Sequence, residues 1–70
     1  MKNTAEVHAI CAQACRDVMR RYALSWRELR AAGLRRRAAF NLREAKAARD
    51  RAIAYERFGG LMPNERREAA

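Results

Sequence analysis

Cysteine, histidine, proline and glycine are all scarce in this 70-residue chain, which has two Cys, one His, one Pro and three Gly. The shortage of Cys and His argues against metal and nucleophile chemistry. Structural zinc takes four ligands, often presented from a turn as well as a helix. His8, Cys11 and Cys15 share one helical face at i, i+3 and i+7, but no further His or Cys completes the set. The two thiols are therefore expected to be small, free, buried side chains, and a disulfide between residues one helical turn apart is disfavoured by geometry. His8 has no nucleophile and acid arranged with it, and neither Asp17 nor Asp50 carries a motif. The expectation is a non-enzyme with no metal, no cofactor and no small-molecule substrate.

Long apolar runs are missing too. No stretch approaches the roughly 20 consecutive apolar residues of a membrane span. Met1 to Glu6 leads into an interrupted apolar run rather than the continuous core of a secretory signal, so the chain is expected in a reducing, bacterial-type cytoplasm. Bulky side chains are in short supply as well. Half of the residues, 35 of 70, are hydrophobic, but 16 of them are Ala, which leaves 19 larger ones. A small domain with so thin a core usually relies on a disulfide, a metal or a partner subunit. A homodimer or a complex is the remaining choice.

What the sequence does have is helix-forming residues and positive charge. The net charge is +8, and between Arg16 and Arg37 eight Arg face only Asp17 and Glu28, so +6 of the +8 lies there. Such a cluster attracts phosphate backbones, anionic lipid heads or an acidic protein face, or else forms a solvated helix surface. The first helix is expected to start at Asn3 or Thr4, both good caps, with Glu6 in its first turn. Val7, Cys11, Ala14, Val18, Tyr22 and Leu29 recur at helical steps and define its apolar face, widened by His8, Ile10, Cys15, Met19 and Trp26.

Ser25 and Glu28 stand in the Ser-x-x-Glu order of a capping box. Gly33 marks a helix stop of the Schellman kind, with Leu34 after it. The fold is therefore all-α, in one of two forms. Two long helices form an antiparallel hairpin if the first runs through Ser25. Three helices, with a helix-turn-helix-like element at 25–44, result if it breaks there. The last helix is expected from Arg35 to Phe58, ended by Gly59 and Gly60. Its main stripe, Ala38, Leu42, Ala45, Ala48, Ala52 and Tyr55, is small enough for close packing. A second line, Phe40, Ala47, Ala54 and Phe58, asks for another neighbour. Lys46 and Asp50 are spaced for an i, i+4 ion pair. Residues 1–60 then form one helical domain, and 61–70 a short flexible tail.

As a DNA-binding motif, Gly33 and Leu34 fit the turn and Ala39 and Leu42 the inward positions of a recognition helix. That leaves Arg35, Arg36, Arg37 and Asn41 outward, with Arg27 and Arg30 beside them, and Arg and Asn are the residue types that read guanine and adenine edges. Glu28 and Leu29 depart from the motif, one charged where a buried apolar residue belongs, the other bulky where helices cross. The run Glu28-Leu29-Arg30-Ala31-Ala32-Gly33-Leu34-Arg35-Arg36-Arg37-Ala38-Ala39, with Leu42 three further on, resembles the PerC and ANR-type small bacterial regulators. Ile53-Ala54 followed by Arg57 is similar to their closing segment. Leu42 stands where they have Trp, and Gly59-Gly60 where they tend to have aromatic and Cys residues. The resemblance, over residues 28–57, implies transcription regulation by binding DNA or another regulator of the AraC type. The other expected function is a helical protein-interaction module, of the kind by which a mobile element blocks a host factor, with Tyr22, Trp26, Phe40 and Phe58 as anchors.

Overall fold

The computed structural model describes residues 3–60, and they form two helices, α1 (Thr4–Ala31) and α2 (Arg35–Arg57). The helices pack against each other as an antiparallel hairpin, so the two-helix form is the one adopted. The 45 Å long dimension is about the length of a 28-residue helix at 1.5 Å per residue.

The ends are built as their sequences dictate. Asn3 is the N-cap of α1, its side-chain oxygen accepting from the Glu6 amide at 2.8 Å. At the other end the Gly33 amide donates to the Arg30 carbonyl at 3.1 Å and the Leu34 amide to the Leu29 carbonyl at 2.9 Å. These are the two bonds of a Schellman motif, and Gly33 supplies the φ of +79° that they need. After α2, the Phe58 and Gly60 amides both donate to the Ala54 carbonyl at 2.9 Å. Arg51 Nη1 adds a bond to the Gly60 carbonyl at 3.1 Å.

The helix does not break at Ser25. Ser25 is an interior residue of α1, so the capping box with Glu28 does not form and the three-helix arrangement is not adopted. The reason is packing. Tyr22, Trp26 and Leu29 continue, without a gap, a half-buried line that begins at His8 and runs through Ala12, Cys15 and Met19. Its steps alternate four and three residues, the repeat of a seam between two helices. A single interior Ser costs a few tenths of a kcal/mol of propensity relative to Ala, roughly 0.5. That is less than the loss from interrupting the seam.

The facing line on α2 is the small-residue stripe. Ala38, Ala45 and Ala52 are buried, with Leu42, Ala48 and Tyr55 half-buried between them. No side chain larger than Ala is fully buried among the described residues. Larger groups on α1 lie over Ala on α2, which lets the helices approach closely. Two expectations need correction here. The apolar face of α1 is rotated toward Ala12: Val7, Ile10, Ala14 and Val18 are exposed. Ala54, placed on an outer line with Phe40 and Ala47, is instead fully buried next to the turn that closes on its carbonyl.

Candidate nucleic-acid interface

The hairpin has two broad sides of different chemistry, and a basic end. Arg16, near the middle of α1, reaches Glu56 near the end of α2, its Nε and Nη2 each donating to a different carboxylate oxygen at 2.8 Å. This bidentate geometry fixes the register of one helix against the other. The hydrogen bonds from Arg16 hold the Glu56 carboxyl below its usual range, and those same bonds hold the Arg16 guanidinium above its own. Next to Glu56 on α2, Tyr55 meets His8 of the first turns of α1, with ring centroids 6.0 Å apart. Asp17 is taken up locally by Gln13 at 3.0 Å and Arg20 at 3.5 Å. Asp50 pairs with its neighbour Arg49 at 3.6 Å, not with Lys46 as its spacing had implied. Adjacent residues meet here because both side chains leave the exposed side of α2.

At the turn the balance is different. Arg35, Arg36 and Arg37 form the first turn of α2, which holds no acidic residue, and the N-cap Leu34 makes no side-chain bond to it. Arg27 and Arg30 approach from the end of α1. Arg30 lies over the Trp26 ring at 5.5 Å. Among the described residues none of these five Arg has a carboxylate partner. The structure thus gathers five unpaired guanidinium groups within about two helical turns of Gly33. Positive charge is held there by covalent order and by helix geometry, and among the described residues no ion pair neutralises it.

Asn41 sits apart from them. Its Nδ2 donates to the Arg37 carbonyl at 2.8 Å, and it lines a groove between the helices with Val18, Arg21, Tyr22 and Ser25. The antiparallel hairpin also differs from a helix-turn-helix, in which two helices cross at roughly 90–120° so that one can enter the major groove. Of the aromatic anchors, Phe40 is half exposed, and Tyr22, Trp26 and Phe58 are half-buried. Tyr22 and Trp26 belong to the seam between the helices.

Along the side that carries Asn41, a shallow apolar groove is lined by Ala14, Cys15, Val18 and Tyr22 of α1 and Ala47 and Ala48 of α2. Glu44 and Arg51 close its rim. Neither this face nor the Arg16–Glu56 pair was evident from sequence. The pair joins residues 40 positions apart, and only the hairpin's register brings them together. Cys11 and Cys15 are free thiols, half-buried, and no group of three His, Cys, Asp or Glu is placed to hold a metal among the described residues. No helix among them is long and apolar enough to cross a membrane. No family model, curated protein or solved structure matches the chain.

Proposed function

We propose that this chain is a small, non-enzymatic regulator of transcription that binds DNA through the arginines at the turn of its hairpin. The observation that carries the reading is the set of five guanidinium groups, Arg27, Arg30, Arg35, Arg36 and Arg37, without carboxylate partners among the described residues. The likeness of residues 28–57 to the PerC and ANR-type regulators supports the same reading. The hairpin geometry favours contact with phosphates over reading of base edges, because Asn41 is bonded to the backbone and α2 is not presented by a crossing helix. Five phosphate contacts would give log affinity against log salt a slope of about −4.5, from roughly −0.9 per phosphate. Fluorescence anisotropy with a short duplex at several salt concentrations measures it. Replacing Arg35, Arg36 and Arg37 by Ala should flatten the slope by about 2.7 on the same rule. An absence of binding at low salt would refute direct DNA contact.

A second reading is a protein-interaction module of the cytoplasm. It is favoured by the unbroken α1, which removes the crossing-helix geometry, and by the exposed ring of Phe40. Here Phe40→Ala weakens a protein complex while leaving the hairpin folded, and binding persists in moderate salt.

A further inference from the structure

We infer that the DNA taken at the turn of the hairpin is single-stranded, with one base stacked on the exposed ring of Phe40 and its flanking phosphates held by Arg36, Arg37 and Arg43. This rests on the reading of the turn arginines as a DNA-binding surface, and specifies the form of DNA that such a surface selects.

Phe40 points away from the seam. At 3.6 residues per turn it stands about 160° round α2 from Ala38, which is buried against α1, and it is 50% exposed. Among the described residues no ring or guanidinium lies against it, since the two aromatic contacts, His8 with Tyr55 and Arg30 with Trp26, involve other rings. A planar apolar surface is thus left open beside the most basic part of the chain.

On a helix surface the neighbours of a residue are those three and four positions away. For Phe40 these are Arg36 and Arg37 toward the turn, and Arg43 and Glu44 on the far side. The three arginines are exposed, and none has a carboxylate partner among the described residues. Glu44 is half-buried and faces the groove between the helices, beside Cys15 and Tyr22. Asp50, further along α2, is paired with Arg49 at 3.6 Å. Positive charge therefore brackets the ring along the helix axis, about one 5.4 Å turn away on each side.

A nucleotide of a single strand fits that bracket. It offers a free π face to the ring and a phosphate on each side to the guanidinium groups, the combination by which basic surfaces hold single strands without regard to sequence. A duplex keeps its base faces stacked on one another, so it can meet the arginines but leaves the Phe40 ring uncovered. Stacking also needs no reading of base edges, in keeping with Asn41 being bonded to the Arg37 carbonyl.

The test uses the full chain in fluorescence anisotropy at one low salt concentration, with three labelled probes of equal length. They are a 15-nucleotide oligothymidine, a 15-base-pair duplex, and a 15-unit strand carrying abasic sites in place of bases. The wild type should bind oligothymidine more tightly than either of the others. Phe40→Ala should weaken oligothymidine binding about 5- to 150-fold, the range for one stacked base, and leave duplex and abasic affinities unchanged. Phe40→Tyr should restore the loss. Far-UV circular dichroism should show both variants as helical as the wild type, because Phe40 lies outside the intrachain seam, and the abasic probe tests stacking without any variant. Arg43→Ala should flatten the single-strand salt slope by about 0.7, the value for one phosphate. An abasic strand bound as tightly as oligothymidine, or a duplex bound more tightly than either, would overturn the inference and leave the proposed function standing. No binding of any of the three probes at low salt would remove the inference and the DNA reading together.

Discussion

Replacing Gly33 by Ala isolates the contribution of a single backbone conformation. Gly33 has φ +79°, and a Cβ added there would meet nothing within 4 Å. Steric clash with the rest of the fold is therefore absent. What remains is the intrinsic cost of the left-handed conformation for an L-residue, about 1–2 kcal/mol. The two amide bonds of the cap, to Arg30 and Leu29, require that φ and resist any escape from it. For a domain of this size each kcal/mol lowers Tm by about 4–8 °C, so Gly33→Ala should melt about 4–16 °C below wild type. Thermal unfolding followed by far-UV circular dichroism, at one fixed protein concentration, measures the shift. Asn, which tolerates this region better, should lose less. A synthetic chain with D-Ala at position 33 should match or exceed wild type, since that residue prefers the conformation and restricts the unfolded chain. An L-Ala variant melting with the wild type would refute the reasoning. So would a D-Ala variant destabilised as much as L-Ala, because contact rather than conformation would then set the cost.

Other outcomes follow from the same structure. Ser25→Ala should leave stability unchanged or raise it by up to about 0.5 kcal/mol, the interior propensity difference; loss of a functioning cap would instead cost about 1 kcal/mol, so urea unfolding distinguishes the two by sign. Ala52 is completely buried in the seam, and Ala52→Leu should destabilise by about 1–3 kcal/mol through overpacking, seen as a lower denaturation midpoint. Glu56, whose carboxyl is held below its usual range by Arg16, stabilises the fold fully above the unfolded carboxyl pKa of roughly 4.3 and loses that contribution as pH falls through its lower folded value. Stability should therefore decline on acidification, and decline less in Glu56→Gln. Arg16, raised by the same contact, stays charged throughout this range and adds no second transition.

The Arg35–Arg37 cluster, the Gly33 stop and the Ala stripe of α2 were legible because each rests on neighbours in sequence. Gly33 needed only its own lack of a Cβ and the residues before and after it. The Asn3 cap needed only the Glu6 amide three residues on. The positive charge at the turn is held there by chain order, whatever the helices do. Arg27 and Arg30, six and three residues before the turn, could be placed beside Arg35 once a helix end at Gly33 was given.

Whether α1 would break at Ser25 was not decidable in this way. Ser25 and Glu28 satisfy the local pattern of a helix start, while Ala23, Leu24 and Trp26 satisfy the pattern of a helix interior. The choice was made by α2, whose Ala38, Ala45 and Ala52 offer a continuous close surface to Tyr22, Met19 and Ala12. The same partner selected which strip of a broadly apolar α1 turned inward. Apolar residues cover so much of that helix that its own periodicity admits several faces, and only the stripe opposite could pick one. Val18 was thereby left at the surface, and Arg16 was brought to Glu56. Sequence alone therefore determined the ends of the helices, the turn and where the charge sits, because these depend on backbone conformation and order along the chain. Tertiary structure decided the continuity of α1, its rotation and the two unlike sides of the hairpin, because those depend on what one helix finds when it packs on another.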